Sequence, residues 1–121
     1  MLKLVSLMKR KPGLSMAEFI DAYESLRDGH RLLGERYLRP HAVRYVRRFL
    51  TPVATAAHAA VENDYDVLME IWFPDRYTFD AVMARLAQPD IAAEIAEDEA
   101  RLFDRDSIRS FFVEEYESNM D

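Results

Sequence analysis

The three histidines of this 121-residue chain, two of them among seven arginines between residues 27 and 50, are with those arginines the groups best suited to chemistry. His30 carries the most information. It lies on a stripe in which Met16, Phe19, Tyr23, Leu26, His30, Leu33 and Tyr37 recur three or four residues apart, the spacing of one helix face. An imidazole aimed at a core can serve as general acid or base near neutral pH, or it can be a core histidine bonded to a backbone carbonyl. Tyr23, seven residues earlier on the same stripe, could offer its phenol to a substrate carbonyl, or simply fill the core with its hydroxyl at the rim. Asp98 shares a second stripe with Ile91, Ile95 and Leu102. A carboxylate on an apolar face must be paired or neutral, because an isolated buried charge is costly. It therefore either orients His30 or a substrate-bound water, or forms a structural pair with Arg101 or with an arginine of the basic run.

A second set has weaker claims. His41, Tyr45 and Arg47 alternate onto one strand face and could bind an anionic or phenolate group, since arginine suits carboxylate recognition; salt bridges to the acidic C-terminal third are the preferred alternative. Glu70 and Trp72 share a face of another strand, and form either a pocket wall with a second acid or the middle of a subunit interface. His58, in an alanine-rich loop, is expected to be exposed. No metal site is expected: the histidines have no i,i+4 spacing, no His-Glu-x-x-His pattern occurs, and there is no cysteine. With three glycines in all there is no Gly-rich phosphate loop, and no cofactor is expected.

The elements that must position these groups follow from periodicity and punctuation. Residues 2–9 read as a strand ending at Lys11-Pro12-Gly13. Ser15 and Glu18 form a capping box opening a helix, whose second half Gly29 and Gly34 weaken by about 1 kcal/mol each and which Pro40 stops. Residues 41–50 alternate as a second strand, and residues 53–64 read as a loop. The segment 65–73, "YDVLMEIWF", is apolar on both faces and so central in its sheet. Pro74-Asp75 opens a helix, Asp90 caps another reaching about Phe103, and residues 108–117 close as a strand. This order predicts one α+β domain over residues 1–121: a ferredoxin-like βαββαβ unit with a four-stranded antiparallel sheet and helices on one face. The other face then needs a cover, and a two-fold partner is the economical one.

Half the residues are apolar and 31% are charged, a globular composition. Charge is divided: residues 1–50 carry 11 Lys/Arg against 5 Asp/Glu, and residues 90–121 carry 3 against 11. Opposite ends that neutralise each other, in a chain of net charge −6, argue against a nucleic-acid surface. The N-terminal apolar run is too short for a signal peptide or membrane span, and the absence of cysteine suits a reducing cytoplasm, so the expectation is a cytoplasmic protein that is not bound to membrane.

Three segments carry a family resemblance: "KLVSLMKRKPGLSMAEFIDAYES", "DVLMEIWFPDRYTFDAVM" and "IAEDEARLFDRDSIRSFFVEE". Together they resemble the EthD family of the dimeric α+β-barrel superfamily over nearly the whole chain. The resemblance implies that fold, a homodimer, and processing of hydrophobic small organics. Related barrels include cofactor-free monooxygenases, decarboxylases, isomerases and cyclases of aromatic or polyketide-like molecules. His30 matches the family histidine at the end of the first helix, but the Ala-Pro-Leu that typically follows is replaced by Arg31-Leu32-Leu33, which implies a different loop and a different substrate. The expected function is a cofactor-independent enzyme using acid/base chemistry or oxygen-dependent oxidation; the alternative is a non-catalytic dimer that binds a small molecule or supports another catabolic enzyme.

Overall fold

The computed structural model of the chain describes residues 1–62 and 64–121; Asn63, within the stretch read as a loop, lies outside the described residues. The elements run β1 (Leu2–Arg10), α1 (Met16–Glu24), α2 (His30–Leu38), β2 (Arg44–Phe49), β3 (Val67–Phe73), α3 (Arg76–Leu86), α4 (Pro89–Leu102) and β4 (Phe103–Phe112). The strands form one sheet in the order β2-β3-β1-β4, with every neighbouring pair antiparallel. This is the expected α+β ferredoxin-like arrangement, and β3, apolar on both faces, is central as read.

Alternation along the strands sorts side chains between two faces. Ser6 opposes Met69, Leu4 opposes Ile71 and Tyr45 opposes Ile71, and these residues look toward the helices. Val5 opposes Glu70, Lys3 opposes Trp72 and Arg44 opposes Trp72, and these look away. The core lies on the helix side in two clusters. One gathers Met8, Phe19, Tyr23, Val67, Leu102 and Phe103; the other gathers Leu38, Ile71, Phe73 and Val82. Met69 packs against both.

Local chemistry fixes the helix starts. Ser15 Oγ accepts from the Glu18 amide at 3.1 Å while Glu18 accepts from the Ser15 amide at 3.0 Å, the reciprocal capping box read from the sequence. Asp75 accepts from the Thr78 amide at 2.7 Å. The stripe through Tyr37 is not one helix, however. The chain turns at residues 25–29, where the Gly29 amide donates to Ser25 O at 2.9 Å, and a Cβ on Gly29 would stand 2.5 Å from that same oxygen. Only glycine fits this close approach, so Gly29 ends up as the N-cap of α2 and His30 as its first residue.

Three other boundaries also differ from expectation. Helix α4 starts with Pro89 at its first position after Gln88, rather than with Asp90 as cap; the missing amide costs nothing there. Strand β2 begins at Arg44, because the amides of His41 and Ala42 are bonded to Leu38 O in a turn. Strand β4 occupies 103–112 rather than 108–117. Its polar start, "DRDS", is accommodated where the β1–β4 register shifts between Leu7 and Lys9, with Ser107 Oγ accepting from the Lys9 amide at 2.9 Å. Among the described residues no helix is long and apolar enough to cross a membrane.

Candidate active site

Between sheet and helices lies a cavity of about 280 Å³. Its floor is the inward strand face, including Leu4, Met69 and Ile71; its roof includes Leu33 of α2, Met83 and Leu86 of α3, and Ile95 of α4. A 150 Å³ apolar cavity holds benzene, so this one has room for roughly ten to twelve non-hydrogen atoms. Into this apolar chamber come a few polar groups: His30, Tyr23, Tyr45, Tyr37, Ser6, Ser110 and Glu99. That mixture is the usual make-up of a small-molecule site.

The turn at Gly29 places His30 at the cavity wall, and the i,i+3 and i,i+4 spacings of Asp98 from Ile95 and Leu102 turn it inward from α4 to meet the imidazole. His30 Nδ1 and Asp98 Oδ2 form a hydrogen-bonded pair, with the two side chains only 14% and 12% exposed. Arg101 reaches the other carboxylate oxygen, Oδ1. Asp98 therefore uses both readings of the sequence at once: it holds the histidine and is itself neutralised by Arg101. An ionised carboxylate accepts only, so in a neutral imidazole paired with it the proton sits on Nδ1 and the Nε2 lone pair is left available. The ring is held edge-on between Tyr23 and Phe103, with centroids at 5.0 and 5.3 Å.

Tyr23 is fully buried in the aromatic cluster with Phe19, Phe49 and Phe103. Its hydroxyl has no partner that meets full hydrogen-bonding geometry; the Tyr45 hydroxyl adjoins it and is its polar neighbour. Burial, with Tyr45 alongside, holds the Tyr23 phenol well above its ordinary ionisation range. Burial likewise pushes Tyr45 up to about 12. Both phenols are thus O–H donors throughout the physiological range.

The structure brings His30, Asp98, Tyr23 and Tyr45 together, and sets the other candidates apart. Arg47 shares the inward face of β2 but is engaged in a two-pronged bond to Glu24 at 2.6 and 2.9 Å. His41 is exposed in the turn before β2. Glu70 and Trp72 lie on the opposite face of the sheet, because odd and even positions of β3 point opposite ways. There the Trp72 indole donates to Glu70 at 2.9 Å, and Arg44 and Arg48 flank the carboxylate at 3.9 and 3.6 Å. His58 is exposed. Sequence reasoning missed Gly34 and Ser110 as parts of the cavity wall. Gly34 had left a signal, a glycine that weakens the helix without a stated reason; Ser110 had left none. A wider groove of about 450 Å³ between α2 and α4 borders Asp98 from outside, but its lining is charged and its Arg36, Arg101, Glu94 and Asp98 are paired. Among the described residues no cluster of three or more histidine, aspartate or glutamate side chains could hold a metal ion.

The profile of the EthD domain matches residues 11–106. The chain belongs to the EthD family. Solved structures agree at the level of fold. An ethyl tert-butyl ether D family protein from Bacillus halodurans C-125 aligns at 14% identity with a TM-score of 0.61, covering 96% of this chain and 99% of that one. A protein from Arabidopsis thaliana aligns at 12% identity with a TM-score of 0.62, covering 99% and 100%. A protein described as an antibiotic biosynthesis monooxygenase aligns at 18% identity with a TM-score of 0.54, covering 97% and 100%. No curated protein matches the sequence significantly. This EthD protein is thus a small enzyme-like or ligand-binding α+β domain, and the chemistry must be argued from its own cavity.

Proposed function

We propose that this EthD protein is a cofactor-independent cytoplasmic enzyme that transfers a proton on a hydrophobic small organic molecule. His30 acts as general acid/base, Asp98 fixes its tautomer and orientation, and Tyr23 lies beside the reacting group. The observation that carries this reading is the His30–Asp98 pair at the wall of a largely apolar cavity. A histidine that lines a ligand-sized space and whose Nδ1 is held by a carboxylate has the recurring arrangement of a positioned base. An oxygen-dependent oxidation of an electron-rich substrate is the second reading, favoured by the fold shared with the protein described as a monooxygenase. A second copy of the chain is the proposed cover for the outward sheet face, where Val5, Leu7, Val46, Leu68 and Trp72 have no helix above them.

The test is to assay aromatic and alicyclic ketones and phenols of about ten to twelve non-hydrogen atoms, in air and under nitrogen, with wild type and His30→Gln. Turnover that survives under nitrogen and falls at least about a hundredfold in His30→Gln is the expected result. Turnover that needs oxygen selects the oxidation. Turnover unchanged by His30→Gln removes the histidine from the reaction, and ligand binding without any turnover makes the protein a non-catalytic binding dimer or accessory.

A further inference from the structure

Gly34 occupies the middle of α2, where glycine costs about 1 kcal/mol relative to alanine. A Cβ there would stand 2.8 Å from Tyr45 Oη and 3.0 Å from two of its ring carbons. The missing side chain is therefore the seat in which the Tyr45 phenol lies against the helix. Tyr45 in that seat adjoins Tyr23, and the buried Tyr23 hydroxyl has no partner at full hydrogen-bonding geometry. Buried hydroxyls almost always have one, and an orphan costs on the order of 1–3 kcal/mol. Both residues line the cavity that His30 borders, and the rings of Tyr23 and His30 meet edge to face.

Two phenols side by side can spend at most one O–H on each other, so in an apolar chamber at least one O–H is left asking for an oxygen acceptor. The surroundings decide its charge. The nearest cation, Arg47, is neutralised by Glu24, and a carboxylate, Glu99, stands in the same wall. Glu99 is itself paired with Arg105 at 3.5 Å, so an anionic substrate would enter without a free counter-charge. The oxygen must therefore be neutral on entry and become negative only as bonds change, which is where fixed donors in a low-dielectric site contribute most.

We propose that Tyr23 and Tyr45, the latter seated by Gly34, form a two-phenol anchor for the carbonyl oxygen of a neutral, enolisable ketone. This deepens the proposed function and rests on His30 being the base. In the step implied, the His30 Nε2 lone pair takes a proton from the carbon next to the carbonyl. The C–H pair becomes the new C=C bond, the C=O π pair moves onto oxygen, and that oxygen accepts from the two phenols. Return of the proton from Nε2 to the same carbon gives exchange, and to a conjugated carbon gives an isomer. No oxidant, reductant or leaving group is required.

The experiment titrates two probes into the intact protein by calorimetry: 2-naphthol, an enol of fixed geometry, and 2-methylnaphthalene, of the same shape without the oxygen. Proton exchange of 2-tetralone in D2O, followed by NMR, is measured alongside. Wild type is expected to prefer naphthol. Tyr23→Phe and Tyr45→Phe are each expected to weaken naphthol about tenfold while leaving methylnaphthalene unchanged, which also reports that the cavity is still folded. Gly34→Ala should weaken naphthol as Tyr45→Phe does. Naphthol binding unaffected by both phenylalanine variants overturns the anchor, and if tetralone exchange then persists in them and is lost in His30→Gln, the histidine base stands without it. Failure of wild type to bind either probe overturns the cavity as a site, and with it both readings.

Discussion

The two faces of the sheet both carry aromatic and charged residues, but they differ in how those residues are satisfied. On the outward face Glu70 receives the Trp72 indole and lies within ion-pair range of Arg44 and Arg48, while Lys3 and Arg44 lie over the Trp72 ring at 4.0 and 4.8 Å from its centre. Those groups answer one another. On the inward face the Tyr23 hydroxyl has no partner at full hydrogen-bonding geometry, and the His30–Asp98 pair uses one imidazole nitrogen and leaves the other. Seven arginines within residues 27–50 drew attention to charge, yet the face with unspent hydrogen-bonding capacity is the one with fewer free charges. Density of ionisable residues marks solvated or interfacial surface; unsatisfied polarity beside an apolar void marks a site.

The sharpest way to break this comparison is at the pair itself. Asp98→Asn keeps the size of the side chain and its contact with His30, but an amide can donate to Nδ1 and so move the imidazole proton to Nε2, the wrong tautomer for a base. Turnover on the assigned substrate is expected to fall about 10²- to 10⁴-fold, with methylnaphthalene binding unchanged. A variant that retains activity within a few-fold would mean that Asp98 is only a structural partner of Arg101.

Next in size is a stability effect confined to the inward face. Tyr45 ionises at about 12 in the folded protein against 10.0 ordinarily, chiefly because burial disfavours the phenolate. A group whose folded value is raised contributes its full stabilisation below pH 10 and loses it as pH rises toward 12. Two units correspond to about 3 kcal/mol, and Tyr23, shifted the same way, adds to the loss. Urea unfolding at about pH 9 and about pH 12 should therefore show a steep loss for wild type that is shallower by about that amount in Tyr45→Phe. Equal losses in both proteins would place Tyr45 in water rather than in the cavity wall.

What the sequence disclosed follows the same division. Periodicity was enough for the order of elements along the chain, the central position of β3, and the inward turn of His30, Tyr23 and Asp98, because hydrophobic burial repeats with the element and needs no knowledge of neighbours. The capping box at Ser15 and the cap at Asp75 were legible because each is closed within four residues. The break between α1 and α2 was foreshadowed only as a weakness at Gly29, since the reason for it is a contact with Ser25 O that appears once the turn has formed. The start of β4 at Phe103 was hidden by "DRDS", polar residues absorbed by a register shift against β1. The placement of Glu70 and Trp72 away from the cavity could not be read at all: both faces of β3 are apolar, and parity alone does not say which face the helices cover.

The smallest predicted effect tests the outward face as a surface for a second copy. Trp72 is flat, half-buried, held by Glu70 and stacked between two cations, so it would present a pre-ordered aromatic plate at little further entropic cost, as interface anchors do. In a two-fold pair the same plate occurs twice, and its removal acts on both halves of the contact. Trp72→Ala is expected to weaken a wild-type dimer by about 2 kcal/mol, roughly thirtyfold in Kd, read by sedimentation equilibrium. Naphthol binding per chain should hardly change, because the sheet backbone separates Trp72 from the cavity. Loss of naphthol binding together with the dimer would show that the inward site depends on what covers the outward face, and the two faces would then have to be treated as one functional unit; a wild-type monomer at micromolar concentration would leave the Trp72 cluster as a self-satisfied surface and nothing more.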